Sequence, residues 1–349
     1  MAYTDVDNST NYFRVKIYNG DGTDDRNITW DESSNMQPDM LWSKRRDSAD
    51  NYSIYDIVRG SGLELRTNTT DADLSRTNNI QALQTNGFQV GTDGQVNASG
   101  GTYVSWGWLA NNTSGSSNTN GSITSTVSAN TTSGFSIVSY TGTGANATVG
   151  HGLNSPAKFI ILKRRDATND WEIGSDALGW DKHLYFTTGA ANSSSDRWQN
   201  TAPTNSVFYI QTAAGNNASS SPFIAYCFAE KKGFSKFGSY TGNGNADGTF
   251  VYTGFKPAFV MIKRTDTTNN WLMYDNKRDS DNIVGNILHP NLSNAQDIQT
   301  TANVYDFTSN GFKARSTYVA TNASGGSYIY MAFAESPLVG TNNIPATAR

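Results

Sequence analysis

Cysteine is almost absent. The 349 residues include one, Cys227, so no disulfide can close within the chain and no multi-cysteine metal site can form. Histidine is nearly as scarce, with His151, His183 and His289 the full set. No H-E-x-x-H, C-x-x-C, Walker A or G-x-S-x-G string occurs, which removes the anchors of the common metalloprotease, zinc, NTPase and α/β-hydrolase readings. Charged residues make up 16% of the chain and nearly cancel, 26 Lys and Arg against 30 Asp and Glu. Nucleic-acid binding, which needs a concentrated basic surface, is not expected. No apolar run approaches the roughly 18 residues of a membrane span. The start, MAYTDVDNSTN, has neither the basic nor the apolar stretch of a signal peptide. Membrane insertion and export by a leader of this kind are therefore not expected.

What is abundant points to β structure. Long amphipathic helices draw on Glu, Lys, Leu and Ala, whereas this chain is rich in Asn, Ser, Thr, 32 glycines and 12% aromatics. Turn dipeptides such as Asn19-Gly20, Asn86-Gly87, Asp247-Gly248 and Asn310-Gly311 suit hairpins.

The chain also repeats itself. A strand ending in Tyr and two spaced glycines occurs three times, at Tyr18, Gly20 and Gly22, at Tyr140, Gly142 and Gly144, and at Tyr240, Gly242 and Gly244. Each is followed by a proline, an apolar strand and a charged end: PDMLWSKRRD from Pro38, PAKFIILKRRD from Pro156, PAFVMIKRTD from Pro257. An aromatic then opens the next strand, at Tyr52, Trp171 and Trp271. Each copy closes on Asn-Ala-Ser and a last strand, from Asn97, Asn217 and Asn322. The interval from Lys44 to Lys163 exceeds that from Lys163 to Lys263 by about 20 residues, and the surplus lies in 111–134, which has almost no large apolar side chain to offset its ordering entropy. The expected organisation is three tandem all-β sandwich domains, jelly-roll-like, at 1–110, 135–232 and 233–349. Residues 111–134 are read as a linker with one short strand around Ile123 to Val127, and the chain ends in a short tail. Units of this length are expected to have cores of their own, and the very short junction Lys231 to Gly233 implies that the second and third pack together.

In the closing strands, Val104, Trp106 and Trp108 match Ile224, Tyr226 and Phe228 and then Ile329, Met331 and Phe333, a bulky face at every second residue. The other face is mostly small and includes Cys227 where the other copies have Gly107 and Ala332, which reads as an inert core thiol. Asp56, Asp176 and Asp275 recur after the aromatic strand and read as scaffold carboxylates rather than a glycosidase pair. Asp5, Asp7 and Ser9 open like a calcium loop, but Thr10 and Lys16 stand where Gly and Glu are required. The Lys-Arg-Arg ends read as solvated strand exits. Specific function is expected where the copies differ: the second alone has Trp180, His183 and Trp198, candidate ligand-binding residues for stacking on a sugar or a partner, with core packing the competing reading. No catalytic residue, metal site or cofactor is assigned.

The string YTGTGANATVGHGL, FIILKRRD, NASSSPFIAYCFAE, GFKPAFVMIKRTD, NGFKARS and NASGGSYIYMAFAE resembles a repeated domain of virion proteins from tailed phages, notably marine ones, over about Phe13 to Pro337. The first copy departs most, through the insertion DDRNITWDESSN before Pro38. The resemblance implies a non-enzymatic structural protein of tail-fibre or other host-facing type, assembled into virions in the host cytoplasm. Its partners would be other virion proteins and a host surface polysaccharide or receptor, with homo-oligomerisation. A capsid decoration or head-fibre protein, and a polysaccharide depolymerase, are the alternatives.

Overall fold

The computed structural model describes residues 4–193 and 197–340. It is an all-β sandwich fold that has, among the described residues, three four-residue α-helices, Gly94–Asn97, Ala214–Asn217 and Val319–Asn322. Each repeat builds one large antiparallel sheet in the same order: opening, closing, proline and aromatic strand. In the first these are Phe13–Asn19, Thr102–Trp108, Met40–Arg45 and Tyr52–Asp56, and in the third Ser235–Thr241, Ser327–Pro337, Phe255–Arg264 and Trp271–Asp275. The second uses Phe135–Thr141, Pro222–Phe228, Phe159–Arg164 and Glu172–Ser175. A smaller sheet of two or three strands backs each one, for example Phe250–Tyr252, Gly311–Ala314 and Tyr305–Thr308 in the third.

The recurrent motif is the hinge of this construction. Tyr18, Tyr140 and Tyr240 stack on Tyr103, Phe223 and Tyr328 at 5.1, 5.2 and 4.8 Å and donate to the carbonyls of Val96, Asn216 and Thr321 in the short helices. The next glycine crosses so close to the helix end that a Cβ at Gly20, Gly142 or Gly242 would overlap the carbonyl oxygen of Ala98, Ala218 or Ala323. The buried Asn97, Asn217 and Asn322 then accept from the backbone of Asp21, Thr143 and Asn243. One amide side chain thus satisfies a turn that would otherwise leave backbone groups unpaired.

The second sheet differs at its edge. Residues 111–134, expected as a linker, contribute Ser125–Asn130, paired with the opening strand, and Ser116–Asn118 beyond it, so this sheet has six strands. Pairing along an open edge needs backbone groups rather than apolar side chains, and Ile123 and Val127 suffice to anchor the segment in the second repeat's own core. From residue 341 the expected C-terminal tail lies outside the described residues.

The bulky faces of the three large sheets do not point into three separate cores. Phe13, Trp42, Trp106 and Trp108 join Phe135, Ile161, Tyr226 and Phe228 and Phe259, Met261, Met331 and Phe333 in a single buried cluster. The equivalent Trp108, Phe228 and Phe333 meet one another, with ring centroids 6.4, 5.6 and 5.8 Å apart. The three sheets therefore close around one core with approximate threefold symmetry. Each small face, by contrast, packs on its own backing sheet: Gly107 lies under the Trp30 ring, and Phe223, Ala225 and Cys227 belong to the second repeat's satellite core. Cys227 is fully buried and its thiol pKa is pushed far up by burial. Native protein is expected to leave this thiol unreactive toward a disulfide reagent at pH 8, with one equivalent released on denaturation; prompt native reaction would contradict the placement.

Candidate functional site

Three seams join the repeats, and the same bonds recur at each in cyclic order. Lys163 of the second repeat donates to Thr70 O of the first at 2.9 Å, Lys263 of the third to Thr188 O of the second at 3.0 Å, and Lys44 of the first to Ser293 O of the third at 3.2 Å. All three lysines are fully buried, and burial pushes each down to about 8. The expectation of solvated strand exits is thereby corrected for the lysines: their ammonium groups are interface clamps. Trp171 and Trp271 likewise donate across seams to Arg66 O and Tyr185 O, each at 2.8 Å.

Two of the seams are filled by charge. Between the first and second repeats, Arg165 pairs with Asp73 at 2.7 Å, and Tyr226 donates to Asp56 at 2.7 Å while Arg59 grips the same carboxylate at 2.5 Å. Between the third and first, Arg46 donates to Gln296 at 2.8 Å, Trp106 to Asp275 at 3.1 Å, and Arg278 pairs with Asp275 at 2.6 Å. Asp56 and Asp275 are fully buried. They hold turns and seams, as their recurrence suggested.

The third seam, between the second and third repeats, keeps the backbone bond, Ala191 N to Thr265 O at 2.9 Å, and loses the side chains. Gly179 stands where the others have Arg59 and Arg278, Thr265 where they have Arg46 and Arg165, Ala191 where they have Asp73 and Gln296, and Met331 where they have Trp106 and Tyr226. With no arginine and no donor reaching it across the seam, Asp176 pairs with Lys158 at 2.7 Å and accepts from Trp180 Nε1 at 3.2 Å, both within its own repeat. The space left is a groove of about 500 Å³. Ala177, Leu178 and Ala191 form one wall; the hydroxyls of Ser239, Thr241 and Ser327 line the other, with Lys182 and Asp266 among the lining groups. The Arg264 hydrogen bond holds the Asp266 carboxyl below its ordinary value. Such a surface, aliphatic on one side and hydroxylic on the other, suits a ligand with both ring carbons and hydroxyl groups.

The residues singled out in the second repeat lie elsewhere. Trp180 and Trp198 are buried in that repeat's satellite core, edge to face at 5.7 Å, with Gly174 beneath both rings. His183 is buried against Tyr185 at 4.8 Å. None of the three presents a ring to solvent, so they form no stacking platform. Their burial follows from Gly174, which leaves the space both indoles occupy. His151 is buried as well, with burial pushing it down to about 4. Asp5 and Ser9 bond to Lys232 and Glu335 instead of converging on an ion, and no group of three or more His, Cys, Asp or Glu able to hold a metal exists among the described residues. No helix among them is long and apolar enough to cross a membrane. The groove was recoverable from the sequence by asking where one copy lacks a charged residue that the other two share.

Fold and seams together define a class: a single-chain, three-repeat β protein whose sheets share one core. The chain belongs to the family described as Domain of unknown function (DUF7483), whose model matches residues 8–337. That one model runs through all three repeats. No curated protein and no solved structure matches the chain.

Proposed function

We propose that this protein is a non-enzymatic structural component of a tailed-phage virion, of the tail-fibre or other host-facing type, and that it binds host surface glycan in the groove between the second and third repeats. The observation that carries the reading is the selective emptying of one seam out of three: the same backbone bond is retained while the charged and amide side chains that fill the other two are replaced by Gly179, Ala191 and Thr265. A glycan chain would lay its ring carbons on Leu178 and Ala191 and exchange hydrogen bonds with Ser239, Thr241 and Ser327. Among the described residues the lining holds one carboxylate, Asp266, where glycoside hydrolysis generally uses two, and the reading is therefore of binding rather than cleavage. The virion assignment rests on the motif resemblance. Individually weak sites would be multiplied there by particle symmetry and homo-oligomerisation.

The test is adsorption of the purified chain to host cells and to their surface polysaccharide. Thr265→Arg, which restores the side chain of the other seams, is expected to weaken binding at least tenfold with an unchanged melting temperature. Unaltered adsorption by this variant, or none by the parent, would overturn the groove assignment. Release of reducing ends would indicate a depolymerase, and a copy at every capsomer in a particle map would indicate capsid decoration.

A further inference from the structure

At the end of the molecule where the lysine clamps lie, the three repeats meet again around a second cavity, a cup of about 230 Å³. Thr67 to Thr70 come from the first repeat, Asp170, Trp171 and Phe186 to Thr188 from the second, Asn291 and Leu292 from the third. The repeats place equivalent residues here. Leu65, Leu184 and Leu288 each bridge to the aromatic strand of their own sheet, and two positions on stand Thr67, Phe186 and Pro290. Only Phe186 supplies a ring, and it plugs the core end: its centroid lies 5.8, 6.0 and 5.3 Å from those of Trp42, Trp171 and Trp271, edge-on to each. The cup is thus closed below by aromatic carbon.

Polar residues line its walls. The Thr67 hydroxyl is buried, with the residue 1% exposed, and has no hydrogen-bond partner among the described residues. Leaving a buried hydroxyl unmet is costly, but this oxygen has almost no accessible surface and lies behind the cup wall rather than facing its opening. Around it the lining adds the Asp170 carboxylate and the hydroxyls of Thr187 and Thr188. The rim is held in place by side chains already engaged: Asn68 accepts from Tyr52 N and Asn291 from Trp271 N, both at 3.0 Å.

We propose that this axial cup binds the terminal ring of a neutral glycan end-on. An apolar floor meets one face or edge of a sugar ring, a carboxylate accepts from two adjacent hydroxyls, and a closed base admits a chain end but not a chain passing through. The inference rests on the glycan reading and adds a second site with a different demand: the groove takes a length of chain, the cup a single ring.

The experiment uses the full chain with the methyl glycosides of glucose, galactose, mannose and N-acetylglucosamine, followed by saturation-transfer NMR and tryptophan fluorescence. At least one glycoside is expected to receive saturation, Asp170→Asn to weaken it about tenfold, and Thr187→Trp, which fills the cup from a partly exposed position, to abolish it, both with unchanged melting temperature. Thr265→Arg is expected to leave this binding intact. Absence of saturation from all four glycosides, or its survival in Thr187→Trp, would sink the cup; polysaccharide adsorption persisting beside such a result would leave the groove reading standing.

Discussion

Phe228→Ala is expected to destabilise the whole protein by about 4 kcal/mol and to displace one cooperative transition that includes all three repeats. Phe228 is 1% exposed and touches both of its equivalents, Trp108 and Phe333, as well as Phe135 and Phe237. Removing a ring from such a position forfeits its transfer free energy and leaves a cavity that neighbours on three sheets cannot all collapse into, which costs roughly 3–5 kcal/mol. Against the 5–15 kcal/mol typical of a folded chain this is a large fraction. For a cooperative unit of this length it corresponds to a fall of about 5 °C in melting temperature. Calorimetry distinguishes the shared core from three independent ones. A single endotherm that shifts intact is the expected result; two or more endotherms with one displaced would show that the repeats melt separately.

That outcome turns on a feature only half legible in the sequence. The alternation Trp106-Gly107-Trp108 and Tyr226-Cys227-Phe228 identified a bulky and a small face on each closing strand, because side-chain direction has a period of two. It did not say what each face meets. A sheet that packs on a sister repeat and one that packs on its own hairpin have the same local pattern, so independent domains were the natural expectation. The tight Tyr-x-Gly-x-Gly turn and the Asn-Ala-Ser ending were legible as signals, but their mutual bonding was not, since it links residues more than 70 positions apart. Lys44, Lys163 and Lys263 were misread for the same reason: what buries them is a carbonyl of another repeat. Trp180 and Trp198 were conspicuous as residues without counterparts, yet their novelty fills space above Gly174. The groove arises from the opposite kind of difference, losses at Gly179, Ala191 and Thr265, which a search for chemistry-bearing residues passes over.

The buried lysines give the second large effect, and its sign runs against the usual alkaline loss of stability. In the unfolded chain a lysine holds its proton to about pH 10.4; in the folded protein burial brings Lys44, Lys163 and Lys263 down to about 8. Below pH 8 all three are charged in both states and the full desolvation cost is present. Between pH 8 and 10.4 the unfolded chain binds more protons than the folded one, so unfolding free energy rises with pH, by on the order of 3 kcal/mol per lysine as an upper bound. The clamps survive deprotonation, because a neutral amine still donates two hydrogens and each lysine faces two carbonyls, Thr70 and Asn169 in the case of Lys163. Tyrosines act in the opposite direction: burial raises Tyr52, Tyr226, Tyr240 and Tyr274, so above pH 10 the unfolded chain releases phenolic protons that the folded one retains, and stability falls. Urea midpoints are therefore expected to climb from pH 7.5 to a maximum near pH 10 and then drop, and Lys163→Met to remove about a third of the climb. A midpoint that is flat or declining between pH 8 and 9.5 would mean that the lysines are charged at no extra cost within the seams, and that the cyclic clamps are ion-solvating rather than desolvated.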